Sequence, residues 1–398
     1  MNKYIYKCTN CKSEFESSKI ENNFHYLCPK CGKAEKNQPL KGVLQIEYNY
    51  DSIKESISKE DFLKLEAGKF WLYPELWSID FSKIDASILN RLTLPSCTLL
   101  SYQINNNKFL ILDETRNPTL SYKDRASSLV ALKAMELGIN EIAAASTGNA
   151  GSSLAGICAR LGLTSHIYVP KNIPDAKRIQ IEAYGANLVI VDGDYDFVFD
   201  KCLEDSKINN WYNRNTAYNP LTIEGKKSAA FDIFIQTKGN IPDIVFVPVG
   251  DGVIISGIHK GFTELLKLGW IEKLPQLIGV QSDKSNAVVR YIKNGMFEYE
   301  PANTIADSIS TGAPRNLYLA AEAIEESRGN AISVSDKDIL QSQKEFINAT
   351  GVLCEPSSAA TYAAYKKMLN ENKLQNKSVL LVITGNGLKD IESLKNEK

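Results

Sequence analysis

One lysine stands in a setting that is unusual for an ordinary surface residue. Lys123 lies in the stretch NPTLSYKDRA, residues 117–126, directly after an Asn-Pro turn and at the start of a helix-like run. An amine that is held at a helix entrance can act as a nucleophile toward an aldehyde or another carbonyl group. The other segments of the chain must therefore indicate which compound this amine would act on.

Two loops rich in small residues follow buried strand-like runs and precede helix-like runs. The first is STGNAGSS, residues 146–153, and the second is GDGVIISG, residues 250–257. Backbone N–H groups that converge at a helix N-terminus bind a carboxylate or a phosphate. Gly250 and Gly252 allow close backbone approach, and Asn149 adds a side-chain donor. Either loop alone could be an ordinary turn, and the second lacks the third glycine of a dinucleotide-binding fingerprint.

A third loop, TGNGLKD at residues 384–390, places the Thr384 hydroxyl at the end of a strand-like run. Together with Lys123, the three loops suit an aldehyde cofactor that has a phosphate arm and a pyridine ring. Lys123 would form a Schiff base with the aldehyde, and the Gly250 loop would hold the phosphate. Asn149 would bond to the ring hydroxyl, and Thr384 would face the ring nitrogen.

The elements around these loops indicate an α/β fold. From about residue 100 onward, short apolar runs alternate with amphipathic helix-like runs, which predicts parallel strands that are buried on both faces. Ligands of doubly wound sheets bind beyond the carboxyl ends of the strands, where the three loops lie. The predicted strands are EIAAAS, HIYVP, NLVIV, IVFVPVG, LIGVQ and VLLVITG.

Four of the eight cysteines form two CxxC pairs near the N-terminus. Cys8 and Cys11 are separated from Cys28 and Cys31 by 16 residues, a spacing that is typical of four-cysteine zinc ribbons. Four thiolates complete a tetrahedral shell, so we expect a structural Zn²⁺; reduced cysteines without a metal are the alternative. Because the ribbon precedes the catalytic segments, we expect its disruption to leave cofactor binding largely intact.

Composition and charge disfavour several classes of partner. The net charge is −1 over 398 residues, and residues 1–40 hold only seven lysines against four glutamates, so we expect no nucleic-acid partner. The apolar runs are too short to span a membrane and no signal peptide is recognised, so we expect a cytoplasmic protein without a membrane partner. The remaining cysteines are predicted to be small buried residues: Cys97, Cys158, Cys202 and Cys354.

The chain resembles the threonine synthase family of the fold type II (tryptophan-synthase-β-like) pyridoxal-phosphate enzymes. The resemblance runs from about residue 110 to the C-terminus and is carried by NPTLSYKDRA, STGNAGSS, VPVGDG and TGNGLKD. The last of these, with the N-terminal cysteine pairs, favours threonine synthase over other members. The resemblance implies a lyase of threonine biosynthesis that converts O-phosphohomoserine and water to threonine and phosphate. We expect a homodimer that acts on a small amino-acid substrate.

The resemblance also implies roles for individual residues. Lys123 is expected to hold pyridoxal 5′-phosphate and to act as the acid and base of the reaction. Substrate contacts are expected from Ser146, Thr147, Arg214 and Lys226. The residues expected at the cofactor are Lys123, Asn149, Gly250, Asp251, Gly252, Val253, Ile254 and Thr384.

The predicted architecture is that of a fold type II enzyme, with two doubly wound parallel-sheet domains and a small N-terminal zinc ribbon. The ribbon is expected at residues 1–40 and a linker at about 32–42. The large cofactor-binding domain is expected at 41–125 and 226–398, and the small domain at 126–225. Residues 43–100 have no predicted role.

The substrate segment departs from the family pattern. Thr222 stands where the family commonly has a basic residue, and Thr216 and Ala217 stand where polar phosphate binders are expected. If the substrate carries a phosphate, Arg214 or Lys226 would have to supply the missing positive charge.

Two alternative functions remain open at this stage. One is another β- or γ-replacement or elimination enzyme of the same fold, of the cysteate synthase or threonine dehydratase type. The other is a regulatory protein with an inactive enzyme domain, which the presence of Lys123, Asn149 and Thr384 together disfavours.

Asp251 in the predicted phosphate loop is a further departure from the family pattern, because a carboxylate beside a phosphate is unfavourable unless it points away.

Overall fold

The structure is a computed structural model, and it describes residues 3–94, 99–104, 107–171, 173, 175–193 and 195–395. The chain divides into two compact units. Unit 1 comprises Met1–Phe62, Lys69–Leu94 and Lys123–Lys226. Unit 2 comprises Leu63–Gly68, Pro95–Tyr122 and Lys227–Lys398.

The N-terminal part of unit 1 is a small antiparallel sheet with short helices. Its elements are β1 (Tyr4–Cys8), β2 (Glu14–Glu16), α1 (Ser17–Glu21), β3 (Leu44–Tyr48), α2 (Tyr50–Ser56), α3 (Lys59–Phe62) and α4 (Ala86–Asn90). The strand order is β2-β1-β3. We call the part that carries the four cysteines and these three strands the cysteine module. Because β3 pairs with β1, the module extends past residue 40 to at least Tyr48. Lys33 and Lys41 exchange backbone hydrogen bonds of 3.0 Å, so residues 32–42 fold back onto the module. The prediction of a linker there was wrong.

The stretch without a predicted role contains a buried aromatic cluster. The ring centroids of Phe62 and Tyr73 lie 5.0 Å apart, and those of Phe70 and Trp77 lie 5.3 Å apart. Trp77 Nε1–H donates to the Phe70 carbonyl at 2.8 Å, so the indole is satisfied inside the cluster. Three 3₁₀ turns shape this stretch: Phe70–Leu72, Pro74–Leu76 and Phe81–Lys83.

The rest of unit 1 alternates helices and strands. The elements are α5 (Lys123–Glu136), β6 (Glu141–Ala145), α6 (Asn149–Leu161), β7 (Thr164–Pro170), α7 (Asp175–Ala183), β8 (Asn187–Val191), α8 (Tyr195–Ile208), β9 (Tyr212–Asn213) and α9 (Leu221–Lys226). The four strands form a parallel sheet in the order β8-β7-β6-β9. Ala143 and Ala145 of β6 pack with Tyr168, Phe199 and Cys202 in its core.

Unit 2 is a larger α/β layer. Its elements are β4 (Leu99–Ile104), β5 (Asn107–Asp113), α10 (Ser228–Gln236), β10 (Ile244–Pro248), α11 (Val253–Lys267), β11 (Gln276–Ser282), α12 (Ala287–Asn294), α13 (Leu317–Glu326), β12 (Asn330–Val334), α14 (Asp336–Thr350), α15 (Pro356–Asn370) and β13 (Val379–Ile383), with 3₁₀ turns at Asp307–Ile309, Gly387–Lys389 and Ile391–Leu394. The strand order is β12-β11-β10-β13-β5-β4. All neighbours are parallel except β4, which is antiparallel to β5.

The predicted α/β fold with parallel sheets is confirmed, and each of the six predicted strands is present. The seven other strands of the described residues were not predicted: β1, β2, β3, β4, β5, β9 and β12. Cys158, Cys202 and Cys354 are fully buried, as predicted, and Cys97 lies outside the described residues. Among the described residues, no helix has the length and apolar character needed to cross a membrane.

The compact units differ from the predicted domains mainly before residue 95. The predicted breaks after residues 125 and 225 lie close to the breaks that follow Tyr122 and Lys226. Most of residues 41–94, however, group with unit 1, whereas they were assigned to the large domain. The pairing of β3 with β1 accounts for part of this difference, because it joins residues 44–48 to the cysteine module.

Candidate active site

The segment that leads to Lys123 is fixed to the end of β13. Leu120 N–H donates to the Asn117 carbonyl at 2.7 Å, which closes the turn that the Asn-Pro pair predicts. Tyr122 N–H then donates to the Thr384 carbonyl at 2.8 Å. Lys123 follows as the first residue of α5. Thr384 is therefore bonded to the residue that precedes the predicted cofactor lysine.

The starts of α5 and α6 are tied to one another within unit 1. Asn149 is the first residue of α6 and is buried. One turn further along α6, Ser153 Oγ lies 2.7 Å from Asp124 Oδ1 and 2.8 Å from Ser127 Oγ, and all three side chains are fully buried. Because Asp124 adjoins Lys123, this contact ties the helix start that carries Lys123 to the helix that begins at Asn149.

The loop after β10 leaves no room for a side chain at Gly250 or Gly252. Gly252 has a φ of +84°, and a Cβ there would lie 2.8 Å from Ala320 Cβ and 2.9 Å from the Asn316 carbonyl oxygen. A Cβ on Gly250 would lie 2.9 Å from Ile309 Cα. The first backbone N–H groups of α11 have no partner within the helix, so this glycine-lined helix start fits the phosphate of pyridoxal 5′-phosphate.

The Asp251 carboxylate is bonded to another segment of unit 2 and does not lie free beside this helix start. Its Oδ1 accepts the backbone N–H of Arg315 at 3.2 Å, and its carbonyl accepts the N–H of Asn316 at 2.9 Å. The carboxylate is thus directed to the chain that precedes α13. Val253 and Ile254 have buried side chains, so only their backbone N–H groups could face a ligand at the start of α11.

Thr384 lies at the carboxyl end of β13, which is the parallel neighbour of β10. The loops that carry Thr384 and Gly250 therefore leave the same edge of the sheet. The Thr384 hydroxyl lies 3.2 Å from the hydroxyl of Ser358, a residue that was not singled out from the sequence. The run EPSSAA, in which Pro356 opens a helix of small residues, is the signal that could have indicated this close approach.

Arg214 lies in the interior of unit 1. Its Nη1 donates to Thr216 Oγ1 at 2.7 Å and its Nε to Ser127 Oγ at 3.3 Å, and the side chain is completely buried. Ser127 belongs to the polar group around Asp124, so the guanidinium joins that group near the start of α5. Lys226, at the end of α9, is also buried.

Thr222 has a structural role in the turn before α9. Its hydroxyl donates to the Asn219 carbonyl at 2.7 Å and accepts the N–H of Ala217 at 3.1 Å. Ala217 has a φ of +64°, and Thr222 is completely buried. This position therefore holds the turn. Ser146 and Thr147 are half-buried in the loop between β6 and α6.

The four N-terminal cysteines form one cluster, with sulfur atoms within 4.8 Å of one another. Cys8 Sγ lies 3.5 Å from Cys31 Sγ, and Cys11 Sγ lies 3.6 Å from Cys28 Sγ. Zinc–sulfur bonds of about 2.3 Å in a tetrahedral shell separate sulfur atoms by about 3.8 Å, so the set fits a Zn²⁺ ion. Backbone N–H groups of Cys11 and Lys30 point to the Cys8 and Cys28 sulfurs at 3.4 Å each.

The thiols of this cluster differ in acidity. Hydrogen bonding to Ser13 lowers the pKa of the Cys11 thiol to about 6, whereas burial raises the pKa of the Cys31 thiol to about 12. Thiolates at these separations repel one another, and a divalent cation would compensate their charge.

Comparison with known proteins identifies the family. The family model described as "Pyridoxal-phosphate dependent enzyme" matches residues 93–385. The threonine synthase of Methanocaldococcus jannaschii is 34% identical over 392 residues, which cover 97% of this chain and 93% of that protein. The threonine synthase of Methanosarcina acetivorans is 32% identical over 396 residues, which cover 98% of this chain and 93% of that protein.

Solved structures share the fold at lower identity. The serine racemase of Dictyostelium discoideum has a TM-score of 0.63 and 20% identity, and the match covers 78% of this chain and 99% of that one. A pyridoxal 5′-phosphate-dependent aspartate racemase has a TM-score of 0.65 and 19% identity, with 79% and 98% of the two chains covered. The chain belongs to the pyridoxal-phosphate dependent enzyme family, and two relatives that it matches along almost its whole length are threonine synthases.

Proposed function

We propose that the chain is a threonine synthase, a lyase that converts O-phosphohomoserine and water to threonine and phosphate. The observation that carries this proposal is the near full-length match to two threonine synthases by a chain that has Lys123 at the start of α5. The glycine-lined start of α11 and the hydroxyl of Thr384 support the same reading, because a phosphate-bearing pyridine cofactor requires both an anion site and a ring partner.

Each residue has a defined task in this proposal. The N–H groups at the start of α11 bind the cofactor phosphate, and Asn149 bonds to its ring hydroxyl. When bound, pyridoxal 5′-phosphate supplies an electron-withdrawing system that stabilises negative charge on the substrate carbons. Lys123 would hold the cofactor covalently. Its amine would also take the Cα proton and help to move a proton from Cβ.

The substrate phosphate leaves from Cγ, and water adds at Cβ. We assign the binding of the substrate phosphate to Arg214 and Lys226. Ser146 and Thr147 are assigned as polar contacts in the loop before α6. The burial of Arg214 beside Ser127 supports a rigid cation, because its guanidinium is positioned by two hydrogen bonds. Thr222 takes no part, since its hydroxyl is used within the turn before α9.

The cysteine cluster is proposed to hold one structural Zn²⁺ through Cys8, Cys11, Cys28 and Cys31. Four protein ligands leave no open position for a substrate, so the ion would stabilise the N-terminal module. The expected homodimer and the cytoplasmic location stay predictions.

An assay of purified protein with four amino acids tests the function. Incubation with O-phosphohomoserine is expected to release phosphate and threonine in equal amounts. O-Phosphoserine, serine and threonine are the comparison substrates, because a cysteate synthase or a threonine dehydratase would act on these instead. Failure to form threonine from phosphohomoserine, together with turnover of a comparison substrate, would replace the proposal with one of these activities.

A further inference from the structure

Ser358 makes an unusual set of hydrogen bonds beside Thr384. Its Oγ accepts the backbone N–H groups of Thr384 at 2.9 Å and of Gly385 at 3.0 Å. The same oxygen lies 3.2 Å from Thr384 Oγ1 and 3.5 Å from the Gly385 carbonyl. Ser358 is completely buried and Thr384 nearly so, at 0% and 3% exposure, so bulk water does not compete for these groups.

The direction of the hydroxyl hydrogens follows from counting donors and acceptors. A serine hydroxyl has two lone pairs and one hydrogen. The N–H groups of Thr384 and Gly385 use both lone pairs of Ser358, so this oxygen cannot accept a third bond. The Gly385 carbonyl is the poorer acceptor, because it is more distant and already accepts the Glu355 N–H at 3.0 Å. Ser358 therefore donates its hydrogen to Thr384 Oγ1.

This leaves one role for the Thr384 hydroxyl. It accepts from Ser358 and cannot donate back, because the lone pairs of Ser358 are occupied. Among the described residues, no other acceptor for its hydrogen is seen. The hydrogen of Thr384 is thus available to a ligand beyond the end of β13.

We propose that Ser358 is a positioning residue that forces Thr384 to act as a hydrogen-bond donor to the cofactor ring nitrogen, and so keeps that nitrogen unprotonated. This inference rests on the proposed function, which places pyridoxal 5′-phosphate at Thr384. A ring nitrogen that accepts a hydrogen bond carries no proton of its own. The ring then withdraws fewer electrons than a pyridinium would, which suits elimination more than transamination.

Nitrogen NMR of the holoenzyme tests this arrangement directly. The protein is loaded with pyridoxal phosphate that carries ¹⁵N in the ring, and the ring resonance is followed from mildly acidic to mildly basic pH. In the wild type we expect the shift of a neutral, hydrogen-bonded pyridine that does not change with pH. A pyridinium shift at neutral pH would overturn the proposal.

Variants separate the positioning role from simple support of the loop. In Ser358→Ala, the Thr384 hydrogen loses its fixed direction, so we expect the ring resonance to become pH-dependent. Loss of a hydrogen bond worth about 0.5–1.5 kcal/mol should also weaken cofactor binding by roughly two- to twelvefold. Ser358→Thr keeps the hydroxyl and should restore the wild-type resonance. Ser357→Ala, at the buried neighbouring serine, is the matched control and should change neither quantity.

The outcomes distinguish this inference from the proposed function. If no cofactor is bound, or if Thr384→Val leaves the ring resonance unchanged, the assignment of Thr384 to the ring fails. If cofactor is bound and Ser358→Ala keeps the pH-independent wild-type resonance, only the role of Ser358 fails. Should Ser358→Ala not fold, the wild type and Ser358→Thr still decide, because a pH-dependent resonance in both would contradict the proposal.

Discussion

Leu120 has a left-handed backbone conformation, with a φ of +65°, three residues before Lys123. A side chain other than glycine in this conformation costs about 1–2 kcal/mol, so the surroundings must hold it there. Its N–H donates to the Asn117 carbonyl at 2.7 Å, and its carbonyl accepts the N–H of Asn386 at 3.0 Å. These two hydrogen bonds, one of them to the loop after β13, hold the strained segment before Lys123 in place.

Substitution of Leu120 tests this account of strain. A β-branched residue is less tolerant of positive φ than leucine, so Leu120→Val should lower the free energy of unfolding by about 1–2 kcal/mol. Leu120→Gly relieves the strain, but it makes the unfolded chain more flexible and removes side-chain contacts. These effects oppose one another, so the change in the free energy of unfolding should be smaller. Urea denaturation measures both values. Equal stability of the valine variant and the wild type would contradict this explanation.

Lys123→Ala should abolish turnover, because one amine both holds the cofactor and carries protons. The wild type should be yellow, and reduction with borohydride followed by mass spectrometry should locate the cofactor on Lys123. Lys201→Ala removes an amine that is 40% exposed on α8, and it should retain activity. Near wild-type turnover of the Lys123 variant would show that another group carries out the chemistry.

Arg214→Ala should reduce kcat/KM with phosphohomoserine roughly ten- to hundredfold. A charge-assisted hydrogen bond to phosphate contributes about 1.5–3 kcal/mol, which corresponds to a loss of this size. Cofactor binding, followed by titration of visible absorbance, should change much less. If the double variant that lacks both Arg214 and Lys226 side-chain charges keeps full activity, neither residue binds the substrate phosphate.

At the scale of elements, helix α5 is joined to the cysteine module by a buried polar cluster. Lys133 Nζ lies 2.8 Å from Glu136 Oε2 and 3.4 Å from Glu21 Oε1. The hydroxyls of Tyr4 and Tyr6 donate to Glu21 at 2.7 and 2.9 Å. Burial and the charge of Glu21 raise the pKa of Tyr6, so this phenol stays a donor. The helix that begins at Lys123 is therefore anchored to β1 and α1.

Lys133→Met should lower the free energy of unfolding by about 3–5 kcal/mol, because it leaves two carboxylates that are only 14% exposed, those of Glu21 and Glu136, without their buried cation. Lys201→Met removes a lysine of α8 that pairs with Asp205 at 2.8 Å but is 40% exposed, and it should cost less than about 1 kcal/mol. Urea denaturation compares the two variants. Similar losses in both would show that the cluster on α5 is no stronger than an exposed pair.

At the scale of the whole molecule, the cysteine module is less separable than its place at the N-terminus suggests. Besides the contact with α5, Tyr26 Oη accepts the backbone N–H of Asn213 at 2.8 Å, and its ring lies 5.7 Å from that of Tyr212. Strand β9 leads directly to Arg214. Helix α5, which begins at Lys123, and strand β9, which leads to Arg214, thus pack against the module. Our expectation of intact cofactor binding after disruption of the module changes accordingly.

Removal of zinc should therefore weaken both the fold and cofactor retention. Elemental analysis is expected to find about one zinc per chain. A mild chelator, or the substitution Cys28→Ser, should lower the Tm and release part of the bound cofactor, because α5 and β9 lose support. Addition of Zn²⁺ to the chelated wild type is the control and should restore both. A chelated protein that keeps its full visible absorbance would support a separable module instead.

Local patterns were sufficient to predict much of this protein. Continuous apolar runs predicted six strands, since a strand buried on both faces requires them. The Asn-Pro pair predicted the turn before Lys123, and the glycines predicted the loop before α11, because glycine adopts the positive φ of Gly252 without steric strain. The spacing of the four cysteines predicted their cluster. In each case the determining interactions lie within a few residues of sequence or follow from one chemical requirement.

Features that depend on contacts between distant segments could be read only from the folded chain. Ser358 meets Thr384 across 26 positions of sequence, and Lys133 meets Glu21 across more than a hundred. Thr222 stands where the family resemblance predicts a basic residue, and its hydroxyl is used by the turn around it. Which hydroxyl donates, which charge is buried and which loop folds back are set by long-range packing, and a local pattern of residue types contains no information about those partners.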